Sequence, residues 1–92
     1  MIKTFRHKGL KLLYEEDDGR KLPPSMVQRI KIILSTLEAA QEIEGMNLPT
    51  FRLHLLKGDM KGCYAVTVRA NWRIVFNFKD GNAFDVDFLD YH

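Results

Sequence analysis

Residues 66–78, Val-Thr-Val-Arg-Ala-Asn-Trp-Arg-Ile-Val-Phe-Asn-Phe, constrain this chain more than any other stretch. Two strand-like runs meet there at a polar corner. Successive strand side chains point to opposite faces, so Trp72, Ile74, Phe76 and Phe78 take one side of the second run. Arg73, Val75 and Asn77 take the other. One face is core, which leaves the other free for chemistry, with Arg69, Asn71 and Arg73 gathered at the corner.

The period of two begins at Thr50, where Phe51, Leu53 and Leu55 alternate with Arg52 and His54. Residues 57–62, Lys-Gly-Asp-Met-Lys-Gly, then supply a turn into Tyr64, Val66 and Val68, which reads as a hairpin. Trp72 to Lys79 forms the next strand and Asp80-Gly81-Asn82 a tight turn. Phe84, Val86 and Phe88 alternate with Asp85 and Asp87 in the last strand, so the sheet is expected to be antiparallel.

Before Thr50 the period is helical. Residues 2–5 are a short apolar run suited to a brief strand. Leu10, Leu13 and Tyr14 give an apolar stripe over residues 7–16, and the acidic run from Glu15 to Asp18 opposes the helix dipole and is expected to open a solvated loop. Pro23-Pro24 breaks the chain. Ser25, with Gln28 three residues on, has the spacing of a capping box and starts a longer helix whose core stripe is Met26, Ile30, Ile33, Leu37 and Ala40. Gly45 and Pro49 bracket its end. The fold class is therefore α+β, with two N-terminal helices packed on a small antiparallel sheet. The covered face is expected to take Phe51, Leu53, Leu55, Tyr64, Val66, Val68, Trp72, Ile74, Phe76, Phe84, Val86 and Phe88. Arg52, His54, Arg69 and Arg73 then fall on the open face.

A chain of 92 residues, 46% of them hydrophobic, can bury one core but not two, so residues 1–92 read as one domain. Cys63 is the single cysteine, and no Cys/His cluster has zinc-ligand spacing, which favours a reducing cytoplasm. The basic start lacks the apolar segment of a signal peptide, and no run is long enough to span a membrane, so a cytoplasmic protein without a membrane partner is expected. A net charge of +2 is only mildly basic. Any case for nucleic acid must rest on where the charges sit.

RNA is cut without a metal when a base takes the 2′-hydroxyl proton, cations stabilise the phosphorane, and an acid protonates the departing 5′-oxygen. Histidine suits either proton-transfer role near neutral pH. His54 and His92 are both within reach of the open face, Lys57 and Arg73 supply cations, and Arg52 and Arg69 supply phosphate contacts. The same residues also admit a plainer reading: solvated strand residues, a turn at Lys57-Gly58-Asp59 and a frayed end at Asp90-Tyr91-His92. His7 is expected to be a surface or hydrogen-bonded histidine rather than a catalyst.

Three segments together resemble the HigB toxins of the RelE/ParE superfamily. They are Leu53-His54-Leu55-Leu56-Lys57-Gly58-Asp59, then Val68-Arg69-Ala70-Asn71-Trp72-Arg73-Ile74, and Asp90-Tyr91-His92 at the end. The opening Met1-Ile2-Lys3 with Phe5, Lys8, Gly9 and residues 10–13, Leu-Lys-Leu-Leu, extends the match over essentially the whole chain. Residues 15–24 and 41–50 match no motif. The resemblance implies a toxin of a type II toxin-antitoxin pair that cuts mRNA in the decoding site of the 70S ribosome, neutralised by a helix-turn-helix antitoxin of the HigA type. It places the active site at His54, Lys57, Asn71, Arg73, Asp90, Tyr91 and His92, with no metal and no cofactor. Within it, His92 suits general acid, His54 base, Lys57 and Arg73 phosphate stabilisation, and Tyr91 stacking or orientation of the hydroxyl. Asp90 suits orienting a histidine or contacting a nucleotide base, Asn71 fixing backbone or phosphate, and the two proton-transfer roles are interchangeable. Two rivals remain: a ParE-like poison of DNA gyrase, which shares the fold but has no need for His54, Lys57, Tyr91 and His92 to converge, and a non-catalytic RNA-binding module using Arg52, Arg69 and Arg73.

Overall fold

The computed structural model describes residues 1–91, so the general-acid assignment to His92 lies outside the described residues. Helices α1 (Lys8–Glu16) and α2 (Val27–Ala39) precede four strands, β1 (His54–Leu55), β2 (Tyr64–Arg69), β3 (Trp72–Lys79) and β4 (Asn82–Asp90). The strands lie in the order β1-β2-β3-β4, every neighbour antiparallel. Both helices contribute to the core on one face, where Leu10, Ile30, Ile33, Leu37, Val66, Ile74, Phe76 and Val86 are fully buried. This is the α+β arrangement that the change of period implies. Residues 2–5 pair with β4 through parallel bridges, Ile2 with Ala83 and Phe5 with Val86.

The helix ends differ from expectation for local reasons. α1 runs through Glu15 and Glu16 and closes at Asp17, whose backbone is left-handed and whose N–H donates to the Leu13 carbonyl at 3.0 Å. The acidic run is tolerated because Lys31 of α2 pairs with Asp17 at 2.8 Å and Arg20 with Asp18 at 2.6 Å. Ser25 caps nothing. A 3₁₀ turn at Pro24–Met26 feeds directly into α2, held by the Met26 N–H donating to the Pro23 carbonyl, so the capping-box spacing is not used. α2 stops at Ala39, and a second 3₁₀ turn, Ile43–Met46, puts Met46 into the core.

His7 is a hydrogen-bonded structural residue, one of the two plain roles expected of it. It is the N-cap of α1, its Nδ1 accepting from Gly9 N at 3.0 Å and Leu10 N at 3.3 Å. Its ring meets Phe88 edge-on at 5.7 Å. Gly9 is needed for this contact, since a Cβ there falls 2.8 Å from His7 Cε1.

Two core assignments fail because strand alternation is interrupted. Arg52 has a φ of 51°, which removes residues 50–53 from the ladder and shortens β1 to two residues. Leu55 is consequently 55% exposed, and Leu56 is buried in its stead. In β4, Asp85 has a φ of 53° at a register shift, where Val75 pairs with Asp87 but Asn77 with Phe84. The extra residue turns Phe84 outward and Ala83 into the core. Val75, expected on the open face, is 2% exposed there because Leu56, Met60, Cys63 and Leu89 fold over it with Ala65 in a second small cluster.

Glu38 joins three elements. Its Oε1 accepts from the Ile2 N–H at 2.9 Å and from the Tyr14 hydroxyl at 2.5 Å. These bonds, the tyrosine's first, hold the Glu38 carboxyl below its ordinary value, and the same bond pushes the Tyr14 phenol up to about 12.

Both anchors can be tested by substitution. His7→Ala should lower stability by about 0.5–2 kcal/mol, and His7→Ser should restore most of it, measured by urea unfolding. A depressed carboxyl stabilises above its unfolded value of 4.5 and is lost as pH falls through the folded value, whereas a raised phenol stabilises below 10.0 and is lost as pH climbs towards about 12. Glu38→Gln should therefore flatten the melting temperature below about pH 4.5, and Tyr14→Phe above about pH 10, each an effect of up to about 1 kcal/mol for so exposed a pair.

Candidate active site

Register decides which of the expected residues meet. Across the open face, His54 of β1 lies beside Ala65, Val75 and Asp87 in one row, and Thr67, Arg73 and Leu89 form another. His54 and Arg73 therefore share a face, two strand spacings apart and two residues along, which separates their Cα atoms by about 12 Å.

His54 is exposed, and its Nδ1 lies 3.0 Å from the Arg52 carbonyl. A carbonyl oxygen only accepts, so Nδ1 carries the proton and Nε2 is the basic nitrogen of the neutral ring. The left-handed Arg52 backbone aims that carbonyl. Arg52 itself is exposed. Lys57 is exposed in extended backbone just before the 3₁₀ turn Gly58–Met60, held to the sheet by buried Leu56.

At the β2–β3 corner, Arg73 folds back on the turn. Its Nη1 donates to the Ala70 carbonyl at 2.5 Å and the Trp72 carbonyl at 3.3 Å, while its buried Nε–H has no partner among the described residues. The C-terminal segment is tied to the same turn, the Tyr91 N–H donating to the Asn71 carbonyl at 2.7 Å. The structure thus brings Asn71, Arg73 and Tyr91 together. A register shift between Thr67 and Arg69 sets Arg69 opposite Trp72, which in turn pairs with Asp90. Arg69 and Asp90 consequently align with Trp72, on the helix side of the corner, so Arg69 does not fall on the open face where strict alternation put it.

A hollow of about 120 Å³ on the open face is lined by Arg6, Asp59, Met60, Cys63, Val75, Asn77, Asp85 and Asp87. Val75 and Asp87 belong to the row that His54 begins, so three carboxylates and one guanidinium border the far end of that row. Among the described residues no three His, Cys, Asp or Glu side chains are grouped to hold a metal ion. No helix among them is long and apolar enough to cross a membrane.

Arg29 was not legible as part of this region. From α2 it donates through Nη2 to the Thr50 carbonyl at 2.6 Å and the Thr67 carbonyl at 3.2 Å, with its guanidinium over the Phe51 ring at 5.0 Å. In sequence it is only one more polar residue on an amphipathic helix.

Solved structures define the class of this fold. A point variant of YafQ from E. coli superposes with a TM-score of 0.62 at 18% identity, covering 95% of this chain and 87% of that one. The YoeB–YefM toxin-antitoxin complex from Staphylococcus aureus contains a chain with a TM-score of 0.62 at 20% identity, covering 100% of this chain and 95% of that one. The fold is that of the RelE-like toxins.

Sequence relatives narrow it further. The family described as RelE-like toxin of type II toxin-antitoxin system HigB matches residues 3–92. "Endoribonuclease HigB" of Proteus vulgaris is 47% identical over 92 residues, the full length of both chains. "Toxin HigB-1" of Vibrio cholerae serotype O1 is 32% identical, covering 100% of this chain and 98% of that one. This chain belongs to the HigB family of RelE-like toxins of type II toxin-antitoxin systems, as its motifs indicated.

The double use of Arg73 generates a test. Arg73→Ala should remove the clasp on Ala70 and Trp72, costing about 1.5–3 kcal/mol as a charged hydrogen bond, yet leave a folded protein that no longer arrests growth. Thermal melting beside induced growth curves checks both halves. Full toxicity of the folded variant would contradict the placement of Arg73 in the site.

Proposed function

We propose that this chain, an endoribonuclease toxin of the HigB family, cuts mRNA in the decoding site of translating 70S ribosomes by acid/base chemistry that needs no metal. The observation that carries the reading is the placement on one face of an exposed histidine whose Nδ1 faces a carbonyl, which leaves Nε2 basic, and a guanidinium whose Nε–H has no partner among the described residues. Nε2 of His54 takes the 2′-hydroxyl proton, and the freed oxygen attacks the adjacent phosphorus. Arg73 and Lys57 carry the charge that builds on the phosphoryl oxygens, which hydrogen bonds from cations stabilise most in the crowded intermediate. His92 protonates the departing 5′-oxygen. Tyr91, tied to the Asn71 carbonyl, stacks on a base or orients the hydroxyl, and Asp90 and Asn71 hold that corner in place. Arg52 and Arg69 are the flanking phosphate contacts.

The ribosome supplies what the small protein lacks, an mRNA strand already bent and held. The cognate antitoxin of this toxin is proposed to be a helix-turn-helix protein of the HigA type, and the site of action the cytoplasm, where translation takes place.

Mapping mRNA 5′ ends shortly after induction tests the reaction, with cuts expected within translated codons and in frame. Intact transcripts with a DNA-damage response would instead mark a gyrase poison, and bound but uncut RNA a binding module. Deleting His92 alone removes no side chain of the described core and should slow single-turnover cleavage by roughly 100- to 10,000-fold with little change in melting temperature. Cleavage within about tenfold of the full-length rate would end the role of His92 as acid.

A further inference from the structure

We infer that Arg29, on the helix that covers the opposite face of the sheet, is a positioning residue for His54; the inference rests on the reading of His54 as the base. The strand that should carry His54 is anomalous. Only His54 and Leu55 pair with β2, because Arg52 is left-handed, so the preceding residues cannot be held by a regular ladder. Among the described residues, the backbone bond that ties this run to β2 is the Thr67 N–H to the Phe51 carbonyl at 2.7 Å. Arg29 reinforces it from behind. One guanidinium nitrogen bridges the Thr50 and Thr67 carbonyls, Nη1 approaches the Thr50 hydroxyl at 3.4 Å, and the planar group covers the Phe51 ring.

The consequence travels two residues. With Thr50 and Phe51 fixed, the Arg52 carbonyl is fixed, and it is this oxygen that receives the His54 Nδ1–H and leaves Nε2 basic. Thr67, the other end of the bridge, pairs with Arg73. Arg29 therefore locks the spacing between the strand run that aims the base and the strand that faces the phosphate-binding guanidinium. It touches neither substrate nor reacting atoms, and it acts through the Arg52 carbonyl. A planar fork suits this bridge, and a lysine ammonium at the end of a flexible stem does not reproduce it.

The test is single-turnover cleavage on programmed ribosomes by wild type, Arg29→Met, Arg29→Lys, His54→Ala and the double variant Arg29→Met/His54→Ala. Arg29→Met retains an unbranched side chain for the Phe51 ring, and Arg29→Lys also keeps the charge. Both should slow the saturated rate by roughly 100-fold, the cost of misplacing a reacting group by about 1 Å, with the ribosome concentration for half-maximal rate unchanged. The double variant should be no slower than His54→Ala, because a residue that acts through His54 has nothing left to position. The long-range ¹H–¹⁵N spectrum of the His54 ring should show the Nδ1–H form in wild type and a mixture of tautomers in Arg29→Lys. Wild-type cleavage by folded Arg29→Lys, or equal slowing by Arg29→Met with and without His54, overturns the inference. Should Arg29→Met not fold, Arg29→Lys and the tautomer spectrum decide alone. Wild-type cleavage by His54→Ala would instead remove the base assignment itself, an outcome separable from failure at Arg29.

Discussion

The pairing of β3 with both of its neighbours is the constraint on which the rest depends. Ile74 and Phe76 bury one face of it against the helices and Val75 buries the other under the Gly58–Met60 turn, so this strand has no solvent face through its centre. Once β3 is fixed, β2 and β4 are aligned by hydrogen bonding, and the two register shifts decide which side chains reach which surface. The shift at Arg69 takes that residue out of the row of Arg73. The one at Asp85 keeps Val86 and Phe88 on the core side although Phe84 is not. A one-residue slip anywhere in β3 would exchange Arg73 with Trp72 or Ile74, and the site would vanish with the core.

The site itself is assembled by tethers to backbone carbonyls. Arg29 holds the approach to His54, the His54 ring holds to Arg52, Arg73 clasps its own turn, and the Tyr91 N–H reaches the Asn71 carbonyl. Each bond fixes main chain next to a residue of the proposed site. On the proposed reading, such an arrangement suits a strand that the ribosome delivers in a fixed pose.

Much of this was legible because most of the apolar positions past Tyr64 recur with a period of two and the helices carry apolar stripes at the right spacing. Phe76, Ile74, Val66, Leu37 and Ile30 fall in the core where periodicity puts them. The features that were not legible are set by backbone geometry that residue type does not announce. Arg52 and Asp85 adopt positive φ without being glycine, and each breaks the alternation of its strand, exposing Leu55 and turning Phe84 outward. His7 is an N-cap although histidine is not among the favoured capping residues, and it fits only because Gly9 and Phe88 make room and contact for its ring. Of the motif residues, Asn71, Arg73 and Tyr91 meet at one turn and His54 shares the face of Arg73, but the tautomer of His54 and the bridge from Arg29 depend on contacts between distant parts of the chain.

The central claim is that the 2′-hydroxyl of the RNA is the nucleophile and that side chains of this open face move the protons. The chemistry of the product ends tests it most directly. RNA cut by the purified toxin on programmed ribosomes, with its ends resolved by mass spectrometry, should carry a 2′,3′-cyclic phosphate or 3′-phosphate upstream and a 5′-hydroxyl downstream. A 3′-hydroxyl upstream with a 5′-phosphate downstream would show that water attacked the phosphorus, and would contradict the account.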